Sequence, residues 1–296
     1  MALRHDIRRG ALCMLAATAL FSVMNVFVKL AGADLHFLQV MFFRSLLAVP
    51  VVLLLVLRGK DRPSLRTRRL PQHALRALTG TTAMACSFYS LTLLPLAEQA
   101  ALTYATPLFV TLLAIPFLGE RVGGARFAAV GLGFAGILVI ALGKGAFGGA
   151  VDAAAAWGMA VAVSHGVFSA ATTLLVRSLS STERSGTIVL WQSLLMTAFT
   201  GAALPLVWVT PSAGGWLWLL VIGLVGGVAQ VLLTEAYASA QVSALGAFSY
   251  SGILWSVAFG LVVFGDRPSA WTLAGAALIV GAGLLIMRHE MRRKPR

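Results

Sequence analysis

Acidic residues are scarce in this chain: 10 Asp and Glu stand against 23 Lys and Arg in 296 residues. Cysteine is scarcer still, with Cys13 and Cys86 alone, each inside an apolar run. That argues against a disulfide, and both thiols read as small apolar fillers. No cluster of His and Cys has metal-ligand spacing, so neither a metal nor a cofactor is expected. A Gly-x-Ser-x-Gly elbow, a Walker loop and a zinc-protease motif are all missing. Ser164 and His165 adjoin in sequence, which keeps them off a common helix face and leaves an intramembrane hydrolase as a remote alternative. Charged residues make up only 11% of the chain and hydrophobic ones 59%, with a mean hydropathy of +0.88. A soluble domain could not hide that much apolar surface from water. The net charge of +13 falls in short bursts between apolar runs. That is the pattern of membrane flanks and not of a nucleic-acid surface.

What is present in abundance is apolar length. A hydrocarbon core of about 30 Å needs roughly 20 helical residues. Ten runs satisfy it: 10–31, 35–57, 74–94, 96–118, 124–142, 153–177, 185–208, 214–238, 241–264 and 269–288. They are too long for barrel strands and lack period-2 alternation. The first follows Arg8 and Arg9, continues past Leu30 and shows no cleavage site, so it reads as a spanning helix and not as a signal peptide.

The two halves repeat. Gly119-Glu120-Arg121 matches Gly265-Asp266-Arg267, and the same shift of about 146 residues carries Thr103-Tyr104 onto Ser249-Tyr250. Arg44-Ser45-Leu46-Leu47 matches Gln192-Ser193-Leu194-Leu195 at a slightly different shift. Residues 1–143 and 153–289 are therefore expected to be two five-helix units. Lys and Arg place the N-terminus (Arg4, Arg8, Arg9), the loop carrying Arg58, Lys60, Arg62, Arg66, Arg68 and Arg69, and the C-terminal tail on one side. Arg121, Arg126, Arg177 and Arg184 join them, whereas the opposite side holds little more than Lys144 and Arg267. Both termini are thus expected in the cytoplasm. An odd number of helices per unit makes the repeats inverted, with a site between them near the midplane. Duplicated apolar halves of this kind point to a secondary transporter. No filter-like re-entrant segment speaks for a channel.

The chain resembles the drug/metabolite transporter superfamily, and within it the EamA-type ten-helix transporters. The resemblance rests on Tyr89-Ser90-Leu91 through Leu96-Ala97-Glu98, Thr106-Pro107-Leu108-Phe109 and Phe117-Leu118-Gly119-Glu120-Arg121. In the second half it rests on Phe248-Ser249-Tyr250, Leu254-Trp255 and Phe264-Gly265-Asp266-Arg267-Pro268. It implies an all-α polytopic protein of the bacterial cytoplasmic membrane, with ten transmembrane helices as two inverted repeats around a central cavity. Size and helix count are similar to exporters of amino acids and related metabolites, including YddG-type aromatic amino-acid exporters.

Candidate cavity residues follow from polarity at depth, and each has a plain structural alternative. Arg44 lies roughly 12 Å into the second run at 1.5 Å per residue. It can anchor a carboxylate or lock helices together. Ser22, Asn25 and Lys29 share one face of the first run, where Lys29 can also snorkel and Asn25 can join helices. Ser169 matches Ser22, and His165 lies one turn upstream as a proton site or, more simply, a hydrogen-bonded packing residue. Tyr104 and Tyr250 occupy matched positions, with Trp255 beyond; cavity lining and mere packing both suit them. Tyr89 and Gln230 complete the set. Pro107 permits a break in the fourth run, whereas Ile253 at the matching place predicts an asymmetric hinge. Gly131/Ala135 and Ala277/Gly281 have the spacing of helix-packing surfaces.

Acids hardly enter the spans: Glu98 and Glu235 sit near ends, and none lies midway along the first helix, where the small multidrug pumps of the same superfamily carry one. The expected cargo is a small-molecule solute, best an amino acid with an apolar or aromatic side chain, moved outward by facilitated diffusion or with weak proton coupling. Its carboxylate would meet Arg44 or Lys29. A nucleotide-like metabolite or a drug is the alternative. The other expected partner is the lipid bilayer, with the chain monomeric.

Overall fold

The structure, a computed structural model, describes residues 7–57, 66–118, 123–144, 152–180, 182–183, 185–239, 245 and 248–292. The Gly119-Glu120-Arg121 turn, loop bases Arg58, Lys60 and Arg62, and tail residues Arg4, Arg293, Lys294 and Arg296 lie outside them. The helices are α1 (Ile7–Ala31), α2 (Phe37–Leu57), α3 (Leu70–Leu93), α4 (Leu96–Thr103), α5 (Thr106–Leu118) and α6 (Gly124–Gly143). They continue as α7 (Ala153–Ser180), α8 (Ser185–Val207), α9 (Ala213–Ser239), α10 (Ser251–Phe264) and α11 (Ala270–Arg292). No strand occurs among the described residues. Among the described residues, eight stretches are long and apolar enough to cross a bilayer, α4 and α5 together forming one of them. α3 has 24 residues but carries Gln72, His73, Arg76 and several threonines, which lower its hydropathy; α10 is the longest described part of the remaining span. In lipid, helices satisfy their own backbone, and these are apolar nearly all round. The chain is an all-α polytopic membrane protein.

Packing recurs between the halves. α1 lies on α9 as α7 lies on α3; α2 meets α9 as α8 meets α3; α1 meets α10 as α7 meets α4 and α5. Two contacts pair an element with its own counterpart, α2 with α8 and α6 with α11. This is the contact pattern of a pseudo-two-fold axis. Where α6 crosses α11 the backbones touch: a Cβ on Gly136 would lie 2.6 Å from the Gly275 carbonyl oxygen, and one on Gly275 would lie 2.5 Å from that of Gly136. The spacing-based expectation put this contact at Gly131/Ala135 and Ala277/Gly281. Gly131 and Gly281 have open space where a Cβ would stand, and Ala277 is exposed. The glycines buried at the crossing are Gly136 and Gly275, each set against the other's carbonyl oxygen; four-residue spacing alone does not say which face packs.

The fourth span breaks at Tyr104 and Ala105, just before Pro107. The ninth breaks as well: Phe248 and Ser249 are helical, Tyr250 is a turn, and α10 begins at Ser251. The expected asymmetry is therefore corrected. The second break has no proline at the matching place; there the two matched tyrosines pack ring to ring with centroids 5.9 Å apart. Each also covers a glycine: a side chain on Gly252 would overlap the Tyr104 hydroxyl, and one on Gly283 that of Tyr250. α10 closes with a π-turn at Gly260–Phe264 and a left-handed Gly265 at φ 68°, the conformation that favours glycine at a helix C-terminus.

Candidate solute-binding site

Arg44 is the eighth residue of α2 and Gln192 the eighth of α8. The two helices enter from opposite faces, so each head group lies roughly 11 Å in, near the middle of the bundle. Both line one pocket between α2, α8 and α9, together with Ser45, Ala48, Val52, Val189, Ser193, Met196 and Gln230. The cavity is small, about 20 Å³, room for about one water, and it opens to the outside. Glycines make the room: a Cβ on Gly226 would stand 2.7 Å from Met24 Sδ and 3.5 Å from Arg44 Nε. Inside the pocket Arg44 Nε and Ser45 Oγ are buried without a hydrogen-bond partner. Gln192 donates from Nε2 to Met196 Sδ at 3.2 Å, a weak acceptor. Among the described residues, no Asp or Glu lines the pocket. By donor and acceptor chemistry, a guanidinium with an unpartnered Nε–H, amides, hydroxyls and a thioether suit one carboxylate and a neutral remainder, although the cavity in this state has room only for about a water.

Of the sequence candidates, the structure brings Arg44 and Gln230 together here and places the rest elsewhere. Ser22 is buried in the seam between α1 and α10, where its hydroxyl donates to the Gly252 carbonyl at 3.3 Å and lies 3.4 Å from Ser256 Oγ. One turn away Thr18 meets Ser251 at 2.8 Å. Asn25 is half-buried farther along α1. Lys29, at the face opposite the chain termini, donates to the Leu94 carbonyl at 3.0 Å and pairs with Asp266 at 3.4 Å, its Nζ 4.9 Å from the Phe264 ring centroid. His165 Nδ1 lies 2.8 Å from the Ala83 carbonyl oxygen, tying α7 to α3. Tyr89 packs against Phe37 at 5.3 Å. Tyr104 and Tyr250 form the paired ring contact described above, Ser169 is half-buried on α7, and Trp255 is 37% exposed on the outer surface of α10.

The acids are engaged away from the pocket. Glu98 is 4% exposed, pairs with Lys144 at 3.0 Å and accepts from the Thr272 hydroxyl at 3.3 Å. Glu235 pairs with Arg9 at 2.7 Å on the terminal face. Sequence reasoning singled out neither Ser45, Ser193 nor Met196 as lining residues. The signal was present, since the repeated Arg44-Ser45 and Gln192-Ser193 pairs contain both hydroxyls.

A pseudo-two-fold helical bundle with an unsatisfied polar pocket at mid-depth defines the class: a multi-pass membrane transporter of small solutes. The particular family follows from comparison. The sequence profile of the EamA-like transporter family matches residues 8–142 and 156–288, and the chain belongs to that family. It is similar to the pseudopaline exporter CntI of Pseudomonas aeruginosa, 30% identical over 288 residues that cover 96% of this chain and 98% of that one. A riboflavin transporter of Rhizobium johnstonii is 33% identical over 293 residues, covering 96% and 93%. An S-adenosylmethionine uptake transporter of Rickettsia conorii is 28% identical over 275 residues, covering 92% and 90%. A solved crystal structure superposes with a TM-score of 0.66 at 22% identity over 96% of this chain and 99% of that one, which shows the shared fold. The chain is a membrane transporter and not an enzyme.

Proposed function

We propose that this transporter sits in a bacterial inner membrane with both termini cytoplasmic and exports an amino acid with an apolar or aromatic side chain, or a related small monocarboxylate. The single observation that carries the reading is the Arg44 pocket, with one deep cation, one unpartnered hydroxyl, two amides and no acid. A cationic drug would find no counter-charge there, and a sugar phosphate would call for more than one deep base. Lys29, the other sequence candidate for the carboxylate, is occupied by Asp266 and the Leu94 carbonyl, so the role falls to Arg44. The solute's ammonium, next to its carboxylate, would take the hydroxyl oxygen of Ser45 and the amide oxygen of Gln230. With no acid in the pocket, facilitated diffusion or weak coupling fits better than a carboxylate-based proton cycle.

The relatives favour a second reading. They include a pseudopaline exporter, a riboflavin transporter and an S-adenosylmethionine uptake transporter, so direction and cargo both vary within the family. One assay separates the readings: proteoliposomes loaded in parallel with labelled phenylalanine, methionine, threonine, riboflavin and S-adenosylmethionine, with and without a pH gradient. Amino-acid flux above protein-free liposomes is expected. Flux of riboflavin or S-adenosylmethionine alone would replace the cargo. A C-terminal reporter active only in the periplasm should stay silent when fused after Arg296.

A further inference from the structure

We infer that the pocket consists of two half-sites related by the pseudo-two-fold axis, and that Gln192 restricts the cargo to a single carboxylate. The inference rests on the reading that Arg44 anchors that carboxylate. Arg44, Ser45 and Ala48 of α2 recur, each 148 positions on, as Gln192, Ser193 and Met196 of α8, and all six line the pocket. The backing of the half-sites recurs too. A Cβ on Gly226 of α9 would stand 3.5 Å from Arg44 Nε, and a Cβ on Gly80 of α3 would stand 3.5 Å from Gln192 Nε2. Each polar head therefore lies within contact distance of a glycine of the other repeat.

The two half-sites are not copies in chemistry. The first half-site joins a fixed positive charge to the Ser45 hydroxyl, which is 2% exposed and has no hydrogen-bond partner. The second offers a neutral amide capped by the Met196 thioether, with the Ser193 hydroxyl beside it. A carboxylate fits the first. In the second it would stand in the membrane interior without a counter-charge, which apolar surroundings strongly disfavour. A neutral polar or apolar group fits there instead. The solute is thus a monocarboxylate whose neutral end reaches across the axis to α8, and the Arg/Gln difference between otherwise matched positions sets that specificity.

The test uses the purified full-length protein in detergent, with thermal unfolding followed against benzoate as monocarboxylate probe and glutarate as dicarboxylate probe. Wild type should be stabilised by benzoate and less by glutarate. Arg44→Gln should weaken the benzoate effect about tenfold or more, the loss expected for a charge-assisted hydrogen bond. Adding Gln192→Arg to that variant should restore benzoate to within about threefold, because the charge is returned to the symmetry-related place. Gln192→Arg alone should shift preference toward glutarate by about tenfold. If the double variant unfolds and elutes like wild type yet binds benzoate no better than Arg44→Gln, the two-half-site inference is overturned while the anchoring role of Arg44 stands. If Arg44→Gln leaves the benzoate effect unchanged, or wild type responds to neither probe, both fall. Should the double variant misfold, Gln192→Arg decides by itself, or Gln192→Lys in its place: an unchanged preference between the two probes overturns the inference.

Discussion

Along the seam between α1 and α10 the polar side chains satisfy one another: Thr18 meets Ser251 at 2.8 Å, and Ser22 reaches the Gly252 carbonyl at 3.3 Å. In the pocket between α2, α8 and α9, Arg44 Nε and Ser45 Oγ are equally buried and have no hydrogen-bond partner. Both regions join the repeats and both looked polar at depth. The difference is whether the protein itself completes the hydrogen bonds. A satisfied polar seam holds helices together where lipid gives no hydrophobic drive. An unsatisfied one is costly unless something else occupies it, and the proposed occupant of this pocket is the solute.

The sharpest way to break this comparison is Arg44→Gln. Flux of the transported solute in proteoliposomes should fall by about tenfold to a hundredfold, while the yield and unfolding temperature of the protein stay near wild type. A variant that loses folded protein instead would place Arg44 among the structural ties. The next largest effect belongs to the seam. In Gly252→Ala the new methyl overlaps the Tyr104 hydroxyl, and a rigid ring packed on Tyr250 cannot swing clear cheaply. Destabilisation of about 1–3 kcal/mol is expected. Flux per folded molecule should change little, as read by unfolding in detergent alongside transport. A paired measurement sharpens the contrast further. Ser22→Ala removes a satisfied hydroxyl and should cost about 0.5–1.5 kcal/mol. Ser45→Ala removes an unsatisfied one and should be neutral or stabilising while it weakens flux severalfold.

Much of this was legible in the sequence because long apolar runs and a half-chain repeat survive without any knowledge of packing. The spans, the all-α class and the pairing of Arg44 with Gln192 came from those two signals. Where Pro107 marked a break the structure has one; the matching break at Tyr250 was hidden, since it depends on two rings and two glycines that meet only in three dimensions. The α6–α11 contact was misread for the same reason: several small residues share each helix, and spacing does not say which face is turned inward. Polarity at depth gathered Arg44, Ser22, Lys29 and His165 as equals. It could not separate them, because satisfaction is a property of neighbours far away in sequence, such as Asp266 for Lys29 and Ala83 for His165.

Lys29→Gln gives the smallest expected effect and the closest check on that separation. Lys29 and Arg44 are both cations on spanning helices, and either would suit a carboxylate by charge alone. Lys29 already has a carboxylate, Asp266, at 3.4 Å and the Leu94 carbonyl at 3.0 Å, with the two charged side chains 21% and 28% exposed. An ion pair with that much access to solvent contributes about 0–1 kcal/mol. Glutamine keeps a donor for the Leu94 carbonyl, so the loss should lie within that range, and flux should remain within about threefold of wild type. Asp266→Asn should behave alike, and the two changes together should cost no more than either alone, since they remove the same pair. A fall in flux for Lys29→Gln as deep as for Arg44→Gln, with stability intact, would mean that a cation satisfied in this state is released to the solute in another. The line between satisfied seam and unsatisfied pocket would then describe one conformation of the transport cycle and not a division of labour between residues.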